Sequence, residues 1–309
     1  MLPMFILQAE ENLVEKPWGG EFIAKLKGVG LKKIGESWEF SAHPSRPSKV
    51  AVDGVMSMLE LIERYGRDVI DGFKEFPILV KIIDANDNLS VQVHPSEEQA
   101  KELGERDHGK PEAWVVLDAD EGAKIYLGFK RDVDPDEFRK AVEKGGDVLD
   151  YLNSVEVRKG DAFYIPAGTI HALGKGVRVL EVSTNSNITY RIYDYGRGRE
   201  LHLDKAFKVL NFNRTDVDEL RQRPKRTNGT IRLVDTEKFK VDKVISSGKL
   251  KNEVFQIMLC VSGGIRLKTE EESVEVGKGR SVLIPAITKE FEIELSPNSE
   301  VYTFSPVKV

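Results

Sequence analysis

The sequence contains a single cysteine, Cys260, among its 309 residues. One cysteine cannot form a disulfide within the chain, and it excludes a zinc site built from several thiolates. An unpaired thiol is typical of proteins in a reducing compartment. We therefore expect a cytoplasmic protein in which Cys260 is a small buried residue rather than a nucleophile.

The sequence also lacks a hydrophobic run of the roughly 20 residues that a membrane-spanning helix needs. Its apolar start, residues 1–8, has no basic flank and no small-residue cleavage site, so we interpret it as a strand rather than a signal peptide. Neither sign of charge dominates, because 46 Lys and Arg oppose 51 Asp and Glu for a formal net charge of −5. This balance argues against a nucleic-acid-binding protein, which would carry a strongly basic face.

Short segments of alternating hydrophobicity, separated by Gly, Pro, Asn or Asp, run through most of the chain. This pattern predicts antiparallel strands in a sandwich or barrel, with few helices. The clearest predicted strands are residues 22–26, 89–93, 114–117, 124–127, 162–165 and 177–182. The predicted helices are residues 56–73, 97–103 with Ser96 as N-cap, 135–152 and 203–210.

Two segments of the chain resemble each other, which favours a duplicated barrel. Residues 160–171 read GDAFYIPAGTIH and residues 279–290 read GRSVLIPAITKE. Glu290 takes the place of His171, and no histidine follows His202, so we expect the second barrel to be metal-free. We expect a catalytic domain at 1–220, whose N-terminal strands can pair with the second barrel, and a C-terminal domain at 231–309. The basic segment 221–230, which contains Pro and Gly, has the composition of a linker.

Three metal-binding residue types occur in strand-like segments far apart in the sequence. Gln92 and His94 alternate, so they face the same side of a strand that ends at a proline. Glu112 opens an apolar strand, and His171 opens another strand directly after a Pro-Ala-Gly turn. Two imidazoles and one carboxylate make a three-ligand site with positions left open for water or substrate. We therefore predict that His94, Glu112 and His171 bind one divalent cation, with Gln92 as a further candidate ligand.

Seven motifs follow one another between roughly residues 15 and 200. They are KPWGG (16–20), GESWEFS (35–41), FPILVKIIDA (76–85), LSVQVHP (89–95), KPE (110–112), PAGTIHA (166–172) and NITYRIYDYGR (187–197). In this order they resemble the type I mannose-6-phosphate isomerase family, in its short bacterial and archaeal form. The last third of the chain matches that family only in its strand pattern.

The resemblance implies a mainly β fold, with two cupin (jelly-roll) β-barrels and a few short helices. It also implies an enzyme that interconverts mannose 6-phosphate and fructose 6-phosphate through an enediolate. Its partner would be a small phosphosugar, with no nucleic acid and no membrane. The implied cofactor is one zinc ion per chain, and its implied ligands are Gln92, His94, Glu112 and His171.

Four charged residues are candidates for roles in the reaction. The resemblance implies that Arg191 is the active-site arginine and that Lys110 lines the pocket. Arg197 and Lys110 are candidates for phosphate contacts on charge alone. The proton-transferring base stays open between Lys110, Glu112 and a water molecule at the metal.

Several alternatives stay open at the level of the sequence. The substrate could be another phosphosugar, and the chain could be a monomer or a homodimer. An iron-dependent cupin oxygenase also uses two histidines and a carboxylate, but such enzymes commonly carry a second His or Glu two residues from the first. Here Gln92 and Ser96 flank His94 at that spacing. A non-catalytic sugar-binding or regulatory protein is the third alternative, and no separate DNA-binding helical segment supports it.

Overall fold

Strands dominate the computed structural model, which describes residues 2–30, 33–52 and 54–308. The strands are β1 (Leu7–Gln8), β2 (Leu13–Gly20), β3 (Ile34–Trp38), β4 (Lys49–Ala51), β5 (Val55–Ser57), β6 (Ile78–Ala85), β7 (Val91–Val93), β8 (Glu112–Ala119), β9 (Lys124–Phe129), β10 (Leu152–Glu156), β11 (Ala162–Ile165), β12 (His171–Leu173), β13 (Val177–Thr184), β14 (Tyr190–Tyr193), β15 (Lys225–Arg226), β16 (Thr230–Asp235), β17 (Phe239–Val244), β18 (Gly248–Lys251), β19 (Gln256–Ser262), β20 (Gly264–Lys268), β21 (Ser273–Gly277), β22 (Ser281–Ile284), β23 (Glu290–Leu295) and β24 (Glu300–Pro306). The helices are α1 (Phe22–Lys27), α2 (Met58–Ile70), α3 (Glu97–Glu102), α4 (Pro135–Glu143), α5 (Leu203–Val209) and α6 (Val217–Leu220), with a 3-10 turn at Val148–Tyr151.

Four antiparallel sheets and one short hairpin contain these strands. The N-terminal pair consists of a six-stranded sheet, β11-β8-β13-β6-β3-β2, and a five-stranded sheet, β10-β9-β12-β7-β14. The C-terminal pair consists of a seven-stranded sheet, β1-β22-β19-β24-β17-β16-β15, and a four-stranded sheet, β18-β23-β20-β21. The prediction of a mainly β chain with few helices is confirmed, and the paired sheets are consistent with two jelly rolls.

Three buried clusters hold the sheets together. Within the N-terminal pair, Trp114 of β8 packs in one cluster with Leu127 of β9. Within the C-terminal pair, Met258 of β19 shares a cluster with Ile293 of β23. The largest cluster joins the six-stranded sheet to the seven-stranded sheet. The burial of apolar side chains between the facing sides of these two sheets stabilises the contact between the two halves.

The N-terminal end of the chain belongs to the sheet of the C-terminal half. Strand β1, near the start of the chain, pairs with β22 in the C-terminal half, with Leu7 opposite Leu283. The segment predicted as a linker, 221–230, includes β15, which pairs with β16. The division of the chain into domains at this segment stays a prediction.

One predicted element is of the wrong type. Residues 22–26, predicted as a strand, form helix α1. The Asp84 carboxylate accepts a hydrogen bond from the backbone N–H of Phe22 at 2.9 Å, so a residue distant in sequence supplies the N-terminal cap. Gly28 ends the helix with a φ of 70°, which glycine adopts without strain. A tertiary contact therefore decides this element, and the local pattern does not contain it.

The predicted helices exist, but two were predicted too long. Helix α2 spans only Met58–Ile70 of the predicted segment 56–73. Helix α4 begins at Pro135 with the side chain of Asp134 as its cap, and ends at Glu143, before the Gly145-Gly146 pair. The remainder of the predicted segment forms the 3-10 turn and β10. No helix among the described residues is long and apolar enough to cross a membrane.

Candidate metal centre and its cavity

Strand β7 brings several predicted site residues side by side. It lies between β12 and β14 in the five-stranded sheet, so Gln92 is the register partner of His171 on one side and of Arg191 on the other. Glu112 opens β8 in the facing six-stranded sheet. His94 follows β7 directly, and its carbonyl accepts a hydrogen bond from the Gly168 N–H at 2.8 Å. The candidate ligands therefore converge from two sheets.

His94, Glu112 and His171 form a compact buried cluster. The Nε2 atom of His94 lies 3.2 Å from one Glu112 oxygen, and the Nε2 atom of His171 lies 3.4 Å from the other. The ligand atoms of all three residues lie within 4.8 Å of one another. Each residue is at most 2% exposed. This is the spacing that a single shared cation requires.

The hydrogen bonding of the cluster fits a cation. The contact of His94 with Glu112 at 3.2 Å lacks hydrogen-bond geometry, so neither ring nitrogen of His94 has a hydrogen-bond partner among the described residues. Oε1 of Glu112 has none either. Buried polar atoms are rarely left without a partner, so these atoms are available to bind a cation. The Nδ1 atom of His171 is 2.8 Å from the Thr169 carbonyl oxygen. Because a carbonyl only accepts, Nδ1 carries the proton and the Nε2 lone pair faces Glu112.

Burial also keeps both imidazoles in the form that binds metals. It lowers the pKa of His94 to about 3, and it lowers the pKa of His171 below its ordinary value. Both rings are therefore neutral at neutral pH. Two neutral imidazoles and one carboxylate suit Zn²⁺ and comparable divalent cations. The amide of Gln92 borders the group, with its nitrogen 3.3 Å from Nε2 of His171.

Lys110 lies directly beside the cluster and is buried. Its ammonium contacts the Glu112 carboxylate and donates a hydrogen bond to Glu181 at 3.1 Å. Burial by itself would lower the pKa of Lys110, but the two carboxylates outweigh burial and raise the pKa above its ordinary value. Lys110 is therefore a charged hydrogen-bond donor in this arrangement.

A polar cavity of about 270 Å³ adjoins the candidate metal centre. Five cationic side chains and two carboxylates line it, although the whole chain carries a net charge of −5. Such a local excess of positive charge attracts an anionic ligand. The charged residues in its wall are Lys16, Glu36, Lys81, Lys110, Glu181, Arg191 and Arg199.

Sequence reasoning did not single out Lys81, Glu181 or Arg199. Lys81 is buried and places its ammonium 4.2 Å from the centre of the Trp38 ring. It also donates a hydrogen bond to Asn187 at 3.4 Å, and burial lowers its pKa. A usable signal exists in the sequence, because Lys81 and Glu181 are single charges in apolar strands, and such charges face a polar interior site.

The two predicted arginines have different environments. Arg191 lines the cavity, and its Nη1 donates a hydrogen bond to the carbonyl of Glu200 at 2.7 Å. Its Nε is buried and has no hydrogen-bond partner among the described residues. Arg197 is not part of the cavity wall. Its guanidinium donates hydrogen bonds to Asp87 at 2.7 Å and to Asp194 at 3.4 Å.

Two family models match separate parts of the chain. One is described as "Phosphomannose isomerase type I, catalytic domain" and matches residues 7–114. The other is described as "Mannose-6-phosphate isomerase, cupin domain" and matches residues 230–296. The second match supports the cupin prediction for the C-terminal half.

Individual proteins are similar to the chain over nearly its whole length. The mannose-6-phosphate isomerase of Streptococcus mutans is 35% identical, with 94% of this chain and 95% of that protein covered. The crystal structure of a mannose 6-phosphate isomerase from Bacillus subtilis is 30% identical, with a TM-score of 0.88 over 98% of this chain and 100% of that one. A zinc-bound mannose 6-phosphate isomerase shares the fold at 17% identity, with a TM-score of 0.81 over 98% of this chain and 100% of that one.

Proposed function

The chain belongs to the type I mannose-6-phosphate isomerase family, and from this premise we propose that it interconverts mannose 6-phosphate and fructose 6-phosphate in the cavity beside His94, Glu112 and His171. One observation carries the proposal. A buried cluster of two neutral imidazoles and one carboxylate, with polar atoms that lack partners, borders a small cavity rich in cationic side chains. A metal-dependent enzyme for a small anionic sugar needs this combination.

The cofactor in this proposal is one zinc ion per chain. His94, Glu112 and His171 would hold it, with Gln92 as a further ligand from the neighbouring strand position. When bound, a divalent cation of this kind acts as a Lewis acid that stabilises negative charge on the sugar oxygens as the proton moves between C1 and C2 through an enediolate. Zinc suits this reaction because it has no redox chemistry of its own.

The protein residues around the cavity bind and orient the substrate. Arg191, whose Nε has no partner, donates charge-assisted hydrogen bonds to substrate oxygens. Lys110 is held as an ammonium by Glu181, so it donates to an oxygen that becomes negative during the reaction. Lys81, which lies next to the same Glu181 carboxylate at 3.8 Å, is a third donor in the wall.

The cellular setting of the proposal is the cytoplasm. Cys260, the chain's one cysteine, is fully buried in the C-terminal half. Burial raises the pKa of its thiol to about 11, so the group is inert rather than nucleophilic. A metabolic phosphosugar as substrate and an unpaired cysteine both suit a reducing compartment.

Metal analysis of the purified protein, paired with coupled isomerase assays, tests the proposal. We expect about one zinc ion per chain. Turnover of mannose 6-phosphate should be lost with a chelator and restored by zinc. Glucose 6-phosphate, assayed in parallel, should be the poorer substrate. Faster turnover of glucose 6-phosphate, bound iron with oxygen uptake, or tight phosphosugar binding without turnover would each contradict the proposal.

A further inference from the structure

Two guanidinium groups line the wall of the same cavity. Arg191 comes from β14, and Arg199 comes from the loop that follows it. After burial, the charge of Arg199 is the largest influence that lowers the pKa of Arg191, because two like charges repel at short range. A dianion bound between them would relieve this repulsion. Phosphate is such a dianion, and the planar fork of arginine matches its oxygen geometry.

The guanidinium of Arg199 is held in place by a buried carboxylate. Its Nε donates a hydrogen bond to Asp194 at 2.7 Å, and its Nη2 contacts the other oxygen of the same carboxylate. The Asp194 side chain is only 3% exposed, whereas the Arg199 side chain is 29% exposed. The structure gives the Nη1 atom of Arg199 no partner among the described residues. One edge of the guanidinium is therefore fixed, and another is free to bind a ligand.

Arg197 provides a natural comparison, because it uses the same carboxylate from outside the cavity. The loop curls at Gly196 and Gly198, with φ of 71° and 75°, and this returns both arginines to Asp194. The guanidinium of Arg197, however, forms ion pairs with both Asp87 and Asp194. It also lies 5.1 Å from the centre of the Tyr195 ring. Two carboxylates therefore neutralise Arg197, whereas Arg199 has only the Asp194 carboxylate, which it shares with Arg197.

We propose that Arg199, together with Arg191, binds the phosphate group of the substrate and so sets the preference for a phosphorylated sugar over a free one. The assignment rests on the proposed function for the identity of the sugar, and on the cavity geometry for the anion. The sequence predicted a phosphate contact at Arg197, whereas this proposal assigns the contact to Arg199, which lines the cavity. Asp194 is then a positioning residue that orients the Arg199 fork.

The test compares Arg199→Gln, Arg199→Lys and the matched variant Arg197→Gln. Each is assayed for kcat and KM with mannose 6-phosphate and with unphosphorylated mannose. Calorimetry then measures binding of inorganic phosphate to each protein. Asp194 keeps Arg197 as a partner when Arg199 is replaced, so the fold should survive. Melting temperatures check this.

We expect Arg199→Gln to lower kcat/KM for mannose 6-phosphate at least about tenfold, mainly through KM, because a charge-assisted contact is lost. Inorganic phosphate should bind more weakly by a similar factor, whereas kcat/KM for mannose stays unchanged. Arg199→Lys should recover part of the loss. Arg197→Gln should change each value less than about threefold.

Three outcomes would overturn the assignment. They are an equal loss for mannose and its phosphate in Arg199→Gln, a larger loss in Arg197→Gln, or phosphate binding that does not depend on Arg199. Failure of the proposed function looks different. In that case the unaltered protein would not isomerise mannose 6-phosphate, yet Arg199-dependent binding of inorganic phosphate would still support the anion site.

Discussion

The histidines of this chain differ from one another in what their ring nitrogens contact. His43 is 3.2 Å from Asp107, and His108 contacts Glu75 at 2.9 Å, near the surface in both cases. His94 and His171 are buried against Glu112 instead, and the His94 ring nitrogens have no hydrogen-bond partner among the described residues. Burial without a partner is costly. The cost is consistent with a cation that these two residues are arranged to hold.

Replacement of His171 by alanine should remove the metal and the activity while the fold largely survives. The reason is that two remaining ligands bind a divalent cation weakly, whereas β12 keeps its backbone pairing. The measurements are metal content, turnover and melting temperature. His108→Ala is the matched control, because His108 lies outside the cavity wall. Normal turnover of mannose 6-phosphate by metal-free His171→Ala would show that the site is misassigned.

Replacement of Arg191 by alanine should leave the metal in place and lower kcat strongly. Besides the phosphate, Arg191 can reach a substrate oxygen near the candidate metal centre, because it is the register partner of Gln92. A charge-assisted contact that strengthens in the transition state is worth roughly 10²–10³ in kcat in comparable sites. Metal analysis and steady-state kinetics on the same preparation separate the two effects. If kcat were unchanged, Arg191 would have no part in the reaction.

At the scale of elements, the short helix α3 helps to position two segments of the candidate site. Helix α3 begins at Glu97, three residues after His94, and its N-cap Ser96 forms a capping box with Gln99. Its first residue, Glu97, also accepts a hydrogen bond from the Gly109 N–H at 3.0 Å. Gly109 precedes Lys110. The start of α3 therefore ties the segment that carries His94 to the segment that carries Lys110.

Ser96→Ala should cost about 1 kcal/mol of stability through loss of the cap. It should also weaken metal binding, because it loosens the segment that carries His94. Ser57→Ala is a matched control, because Ser57 forms the same type of capping box with Glu60 on α2. It should cost a similar free energy of unfolding with no change in metal affinity. Chemical denaturation and chelator competition measure the two quantities. Equal metal affinities in both variants would refute the role of α3.

A buried polar network links the two halves at the scale of the whole molecule. The Lys27 ammonium contacts Glu39 at 2.7 Å, and the Ser281 hydroxyl of the C-terminal half donates a hydrogen bond to the same carboxylate at 2.5 Å. Lys27 is also 3.2 Å from Glu11. Burial alone would raise the pKa of Glu39, but Lys27, Ser281 and Ser37 outweigh it and lower the pKa below 4.5. The folded state therefore favours the ionised carboxylate.

Glu39→Gln should destabilise the protein by about 3 kcal/mol at pH 7, because Lys27 loses its closest buried partner. The sign of the pH dependence follows from the lowered pKa. Glu39 contributes its stabilisation above about pH 4.5, and this is lost as pH falls through the lower pKa of the folded state. The difference between the original protein and Glu39→Gln should therefore shrink below pH 4.5, as measured by urea unfolding. The double variant Lys27→Met/Glu39→Leu should cost less than the single one. A difference that grows in acid would contradict the assignment.

The sequence by itself determined the strand-rich class, most elements and the order of the chemical motifs. The alternation of buried and more exposed residues along β14, β20 and β23 is a local property of the chain, because neighbouring side chains on a strand point to opposite faces. The caps of α3 and α4 are local as well. His94, Glu112 and His171 were identifiable because each stands at a strand end with a distinctive residue type.

Only the tertiary structure decided which distant residues meet. Helix α1 depends on Asp84, which is 62 positions from Phe22, and no local pattern contains that contact. The pairing of β6 with β13 brings Lys81 and Glu181 into the site. The loop after β14 turns back on Asp194, so Arg199 lines the cavity and the predicted Arg197 does not. Strand register and loop closure depend on how much apolar surface the whole core buries. A short window of sequence contains only a small part of that surface, so it does not specify which distant residues meet.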